Sequence, residues 1–156
     1  MIERDREFIV DVMNEEITYH ILTFQNASQL ENSDIFDNSL VPEQFYAFLA
    51  DPGHEMVFAA IGTQIVGMAS GNVMLHPDKQ PAFFINEVGV SENFQRRGIA
   101  TSLCELLMNV AREKGCQGIW LATESDNIEA RGLYRRLNAR ETSGVIVYDW
   151  GGVMDD

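Results

Sequence analysis

Between Glu7 and Gln95 the chain has 13 acidic residues and one basic residue, Lys79. Over its 156 residues, 11 Lys and Arg face 24 Asp and Glu, a net charge of −13. That balance excludes a protein that wraps nucleic acid through a basic face, and it favours a cationic partner. Cysteine is equally scarce. Cys104 and Cys116 have neither metal-ligand spacing nor a clustered histidine set, so no metal site is expected and both thiols are expected to be reduced. No apolar run approaches the ~18 residues needed to cross a bilayer, and Met1 to Glu16 carries too many charges for a signal peptide. A cytosolic protein with no membrane partner is the expectation. Repeats, low-complexity tracts and long linkers are also missing, so residues 1–156, 46% of them hydrophobic, are expected to form a single domain. Residues 1–16 are expected to be an N-terminal extension.

What is present is a reversal of charge. Arg96 to Arg140 holds eight bases against five acids, and Glu141 to Asp156 adds four acids and no base. Solvated surface is one explanation of such clusters. The other is a later half that holds an anionic cofactor and an earlier half that attracts a cationic substrate.

Hydrophobic periodicity sets out the elements. Ile2 to Val12 has a weak helical pattern, and Ile17 to Phe24 reads as a first strand. Two short helices are expected at Asn26 to Phe36 and Pro42 to Ala50, the second stopped by Asp51-Pro52-Gly53. Glu55 to Ile61, Gln64 to Leu75 and Ala82 to Val90 read as an antiparallel meander, its first two strands joined at Gly62-Thr63. Ile99, Ala100, Leu103, Leu106, Leu107, Val110 and Ala111 then mark a helix ended by Gly115. Gly118 to Thr123 reads as an apolar strand buried on both faces. A helix through Ala130, Leu133, Tyr134 and Leu137 follows, capped by Asp126 with Glu129 three residues on, and Asn138 takes the left-handed end. Val145 to Trp150 closes as a strand. The class is α/β, a mixed sheet in which a meander precedes strand, helix, strand, helix and strand.

The sharpest local signal is Val88-Gly89-Val90 followed by Gln95-Arg96-Arg97-Gly98-Ile99-Ala100. A strand, a short loop and a helix start present unpaired N–H groups and a positive dipole end, where phosphate oxygens dock. Gly98 and Ala100 leave the backbone approachable, and Arg96 and Arg97 add charge. Taken alone, the segment is equally an ordinary tight entry into a core helix.

Together with the following helix, the segment resembles the GNAT superfamily of acyl-CoA-dependent N-acetyltransferases. The Q/R-x-x-G-x-G/A pattern is matched at Gln95 to Ala100, and an Asn, small residue, Tyr signature at Asn127, Ala130 and Tyr134. The resemblance runs from about Ile17 to Trp150, with Asn138-Ala139 where the family often has Gly-Phe. It implies a GNAT-like fold with a splay between strands 4 and 5, and acetyl-CoA as co-substrate without a metal. Val88, Gly89, Val90, Gln95, Arg96, Arg97, Gly98, Ile99, Ala100, Thr101, Asn127, Arg131 and Tyr134 are the implied cofactor-binding residues. Val88 N–H is the implied oxyanion donor, and Val90 pairs with the pantetheine arm.

The chemistry narrows the acid–base candidates. An alkyl amine has a pKa of about 10.4, so a carboxylate or an ordered water must take its proton. Glu87, a carboxylate in the middle of a strand, is the first candidate base, with an ion pair or an exposed position as the alternative. Glu124, beyond the next strand, is a second base or acceptor-binding carboxylate, or a solvated loop residue. Tyr134 is the implied general acid at the cofactor sulfur; packing also accounts for an aromatic there. Arg135 and Arg136 read as solvated helix face, His76 as a loop histidine, and Met68, Met74 and Met108 as core. Trp150 beside Asp149 is a candidate for lining the acceptor site.

The acidic segments containing Glu31, Asp34, Asp37, Glu43, Asp51, Glu55 and Asp149 are those that form the acceptor wall in the superfamily. The layout is similar to the aminoglycoside 3-N-acetyltransferase branch. The resemblance thus implies acetylation of a small cationic amine, an aminoglycoside first and a polyamine or peptide terminus second. A non-catalytic acyl-CoA sensor is the alternative from another class. A homodimer stays open.

Overall fold

The computed structural model describes residues 16–154, so the helix expected at Ile2 to Val12 lies outside the described residues. The chain divides after Ala122 into two compact units. The first holds strands β1 (Ile17–Ile21), β2 (His54–Ile61), β3 (Gln64–Met74), β4 (Ala82–Val90) and β5 (Gly118–Trp120), and helices α1 (Pro42–Ala50) and α2 (Ile99–Glu113). The sheet order is β1-β2-β3-β4-β5, antiparallel as far as β4 and parallel between β4 and β5. This is the mixed α/β sheet that the sequence predicts.

Both faces of the sheet are covered, which is why Met56 to Ile61 is buried without a break. One face packs Val57, Ala59, Ala69, Phe83 and Ile85 against Ile99, Leu103 and Leu107 of α2. The other packs Met56, Phe58, Ala60 and Met68 against Leu22, Ala27 and Leu30, with Phe45 and Phe48 of α1 partly buried over them. Helix α2 ends at Gly115 (φ 84°), where Cys116 N–H donates to Ala111 O at 3.1 Å and Gly115 N–H to Arg112 O at 2.9 Å. That is the left-handed cap expected of a glycine just after the C-cap residue, here Lys114. Lys114 then pairs with Glu55 at 2.6 Å, fixing the end of α2 to the start of β2.

Three expectations for this unit are corrected. The helix predicted at Asn26 to Phe36 is only a 3-10 turn, Ala27–Leu30, because two buried anchors, Ala27 and Leu30, hold one turn to the sheet. The first strand stops at Ile21, where the Asn26 side chain takes over the backbone, accepting from Thr23 N–H (2.8 Å) and donating to Ile21 O (2.9 Å). The apolar run Gly118 to Thr123 pairs for only three residues, and Trp120 stays 48% exposed, tilted over Phe84 with ring centroids 4.4 Å apart. It lies at the edge of the sheet, where only one neighbour is available to bury it.

Gly71 is set by tertiary contact. A Cβ there would overlap the Phe84 carbonyl oxygen and the Phe83 ring, and a backbone oxygen in a strand cannot swing aside. Gly71→Ala is therefore expected to cost about 1–3 kcal/mol, the usual penalty for overpacking, read as a lower midpoint in urea or thermal unfolding.

The second unit contains α3 (Ile128–Arg136). Its N-cap is Asn127, whose Oδ1 accepts from Ala130 N–H at 3.1 Å, and not Asp126 as expected. The helix begins at Ile128, so Asn127 holds the cap position, and Asp126 lies one residue too early, accepting from Ile128 N–H through its backbone carbonyl at 2.9 Å. Asn138 takes the left-handed conformation (φ 63°), and Ala139 N–H closes onto Tyr134 O at 3.0 Å, as expected of Asn at a helix end. The strand predicted at Val145 to Trp150 does not form, because strand propensity needs a partner edge and none pairs with this segment among the described residues.

Candidate active site

In β4 the register slips. Ser70 of β3 lies opposite Glu87 and Gly71 opposite Ile85, so Asn86 is an extra residue, a β-bulge, held by a 2.9 Å hydrogen bond from Ser70 Oγ to Asn86 Oδ1. Before the bulge Phe83 and Ile85 point at α2; after it Val88 and Val90 do. Glu87 is thereby turned to the opposite face, in a cross-strand row with Ser70 and Met56. That is the face covered by the segment Ala27 to Ala50, which carries exposed Glu31, Asp34, Asp37 and Glu43. Glu87 is exposed and has no ion-pair partner among the described residues, so the ion-pair alternative drops out and the exposed strand position stands.

The bulge also orients the backbone. Ser91 N–H donates to Val66 O at 2.8 Å, so by the alternation of an antiparallel ladder Gly89 and Glu87 bond toward β3. Val88 and Val90 present their N–H and C=O groups to the other edge. That edge is open, since β5 pairs only with Ala82, Phe83 and Phe84. The expected splay between strands 4 and 5 is thus present at Ile85 to Val90.

The loop after β4 leads into α2. Gln95 Nε2 donates to Val90 O at 3.1 Å, and the Arg97 guanidinium lies 5.4 Å from the Phe94 ring centroid. Arg96 and Gly98 both have left-handed backbone, φ 64° and 79°. A non-glycine residue held there costs of order 1–3 kcal/mol, and such strain gathers at ligand sites. No side chain caps α2, and its first amide with a backbone acceptor is Ser102, onto Gly98 O at 3.1 Å. The N–H groups of Ile99, Ala100 and Thr101 thus have no acceptor among the described residues. Open space surrounds the position of a Cβ on Gly98 and on Gly89. Unpaired amides, a helix start and bare backbone suit a pyrophosphate.

In the second unit Glu124 is exposed in the turn before α3, and its carbonyl accepts from Asn127 N–H at 3.1 Å. The oxygen of the Asn127 side chain is committed to the cap. Tyr134 is half-buried on α3, one residue from buried Leu133. Arg131 donates to Glu141 at 2.8 Å and to Ser125 O at 2.7 Å, and Arg135 reaches the same carboxylate at 3.1 Å. Arg131 therefore holds a local carboxylate in this structure. These bonds, Arg131 first and Arg135 second, pull the Glu141 carboxyl from its ordinary 4.5 down to about 2. Because the folded value lies below the unfolded one, the stabilisation is complete above pH 4.5 and fades as the pH falls toward 2. An NMR titration of the Glu141 side chain is expected to show a midpoint near 2, moving up toward the ordinary range in Arg131→Ala.

The other residues read from the sequence lie elsewhere. His76 lines a cleft of about 520 Å³ with Lys79, Gln117 and Trp120, at the end of β4 away from Val88. Burial raises both thiols, Cys104 to about 11, so neither is a thiolate nucleophile at neutral pH. Met68 is in the core beneath α1, Met108 packs against the core on the α2 face, and Met74 lines the cleft. Asp149 accepts from Gly152 N–H at 3.1 Å, and Trp150 is 88% exposed. The sequence reading missed Ser70 and Asn86, although a polar residue beside a mid-strand glycine is a recognisable bulge signal.

A bulged strand, a splayed edge and a helix start with three unpaired amides make up the candidate site. The Acetyltransferase (GNAT) family profile matches residues 18–139, most of the chain, and the protein belongs to that family of acetyl-transfer enzymes. An aminoglycoside acetyltransferase from an uncultured soil metagenomic sample, solved with sisomicin, is similar at 19% identity and a TM-score of 0.73, covering 86% of this chain and 97% of that one. Aminoglycoside N-acetyltransferase AAC(6')-Iy in complex with CoA is 16% identical with a TM-score of 0.74, covering 88% and 96%. Ribosomal-protein-alanine N-acetyltransferase from Brucella melitensis biovar Abortus 2308 gives 18% and 0.67, covering 86% and 100%. At these identities the likeness is one of fold. No curated protein sequence matches the chain. No helix among the described residues is long and apolar enough to cross a membrane.

Proposed function

We propose that the protein transfers an acetyl group from acetyl-CoA to a primary amine of a small polycationic acceptor, an aminoglycoside first. The observation that carries this reading is the Asn86 bulge. It puts the Glu87 carboxylate on the face of the acidic segment and the Val88 amide on the open edge of the splay. The amides of Ile99, Ala100 and Thr101, with Arg96 and Arg97, would hold the coenzyme pyrophosphate, and Val90 would pair with its arm. Bound there, acetyl-CoA supplies the activated acetyl thioester. Glu87 takes the proton from the acceptor ammonium, making the nitrogen nucleophilic, and Val88 N–H steadies the negative charge that grows on the acyl oxygen. The Tyr134 hydroxyl gives a proton to the departing thiolate. Glu124 is the second base or a carboxylate for a further acceptor ammonium.

The acceptor class follows from charge. Glu31, Asp34, Asp37 and Glu43 are exposed, with no basic partner among the described residues. A multiply charged amine gains from all of them, and a monoamine gains little. Two of the similar structures are named aminoglycoside acetyltransferases, one designated AAC(6'), which supports the class without fixing the nitrogen acetylated.

Initial rates for an aminoglycoside, spermidine, a basic peptide and a monoamine are expected to rank the polycations first at low ionic strength. Salt should raise their KM, because the Debye length falls from ~30 Å at 0.01 M to ~8 Å at 0.15 M. A faster monoamine, or polycation kinetics indifferent to salt, would reject the acceptor assignment. Absence of CoA release with every amine would favour the sensor reading.

A further inference from the structure

Gly67 lies in the buried part of β3, directly opposite Val90 at the end of β4. Its backbone is outside the left-handed region, so conformation does not call for glycine there. Space is the reason. A Cβ on residue 67 would come within 3.0 Å of Leu103 Cδ1, 3.1 Å of Ile99 Cγ2 and 3.2 Å of the Gly89 carbonyl oxygen. Both carbon distances are shorter than the ~3.5–4.0 Å of an unstrained contact. Three elements therefore close on one missing methyl group: β3, the end of β4 and the start of α2.

These neighbours differ in what they can yield. The Gly89 oxygen is part of the β3–β4 ladder, where it cannot swing aside. Leu103 Cδ1 ends a flexible side chain, but Leu103 is fully buried in a packed core. Ile99 is the first residue of α2 and is also buried. Its Cγ2 is carried on a branched Cβ, which a helix holds in one preferred rotamer, so pressure on that methyl passes to the backbone. That backbone begins the run of amides, Ile99 to Thr101, that have no acceptor among the described residues.

We infer that Gly67 is a positioning residue for the coenzyme. By carrying no side chain it lets the start of α2 settle against the sheet, which fixes the height of the Ile99, Ala100 and Thr101 amides relative to Val90. The inference rests on the proposed acetyl-CoA site, in which those amides hold the pyrophosphate and Val90 pairs with the arm. Both anchors of one ligand are thus gauged from a single position on β3. A methyl group there lifts the helix start by a few tenths of an ångström, and the hydrogen bonds to the pyrophosphate lengthen together.

Gly67→Ala is expected to weaken acetyl-CoA about tenfold in calorimetric titration, since misplacement by a full ångström can cost ~10²-fold. In amide NMR spectra without ligand, the Ile99, Ala100 and Thr101 resonances are expected to move. Ala111→Val is the control: it crowds the same buried face of α2 ~18 Å further along, and should lower Tm while leaving the affinity and those three resonances at parental values. Ile99→Ala removes the methyl that is met and keeps the amide. Gly67→Ala/Ile99→Ala is therefore expected to bind acetyl-CoA within about threefold of Ile99→Ala alone. Parental affinity in a folded Gly67→Ala, unmoved resonances, or equal weakening in Ala111→Val would each overturn the positioning role. If Gly67→Ala does not fold, the double variant decides: folding with the affinity of Ile99→Ala supports the role, and failure to fold or a further loss of affinity overturns it. A parent that binds no acetyl-CoA would overturn the coenzyme site itself, and the positioning role with it, even where the three resonances still move.

Discussion

Glu87→Gln is expected to lower kcat by about 10²–10⁴-fold, the usual contribution of a positioned acid–base group, while acetyl-CoA affinity stays close to that of the parent enzyme. The substitution keeps the size and polarity of an exposed side chain, so folding should not change. It removes the one carboxylate that the Asn86 bulge turns to the acidic face of the sheet. Steady-state kinetics with the preferred amine, beside calorimetric titration of acetyl-CoA, separate rate from binding. A variant with parental turnover at every pH would return Glu87 to the solvated surface and make Glu124→Gln the next test. Tyr134 is half-buried, so loss of its hydroxyl has to be judged by rate and melting together.

Gly98→Glu is expected to abolish binding of acetyl-CoA. In the parent protein a hundredfold excess of ligand over Kd stabilises the fold by ~2.7 kcal/mol, a readily measured rise in Tm. Glutamate at position 98 puts a carboxylate beside the amides of Ile99, Ala100 and Thr101, where it competes for the N–H groups and repels a pyrophosphate. It also strains the backbone, because φ is 79° there. Gly98→Ala separates the two effects: it carries the same strain without the charge and should lower the melting temperature while keeping part of the ligand-induced rise. Equal shifts in Gly98→Glu and the parent would remove the loop from the coenzyme site.

Much of the molecule could be read from its residues. Apolar spacing from Ile99 to Ala111 fixes a one-sided helix because only that period hides its large side chains from water, and Leu103, Leu107 and Ala111 are fully buried. Pro42 and Gly115 mark helix ends through backbone conformations that few other residues share. The tight turn into α2 is legible too, since Gly98 at a helix start has a direct geometric meaning and takes φ 79°. Less legible were the elements whose existence depends on partners. Asn26 to Phe36 has helical composition, but only Ala27–Leu30 forms a turn, while Ile35 and Phe36 pack on the sheet from a non-helical segment. Val145 to Trp150 has strand composition and pairs with no strand among the described residues.

The sequence by itself determined the mixed α/β class, the acidic and basic halves, and the strand–loop–helix order from Val88 to Ala111, because each depends on local periodicity, backbone preference or a count of charges. Only the tertiary structure decided which way Glu87 faces. Strict alternation along β4 would have put it with Phe83 and Ile85 against α2, and one extra residue at Asn86, fixed by Ser70 on the neighbouring strand, reverses that. The same bulge directs the Val88 and Val90 backbone to an edge that stays open because β5 pairs for only three residues. Register between strands is settled by contacts between distant parts of the chain, Gly71 against Phe83 and Phe84 among them, and no local pattern contains it.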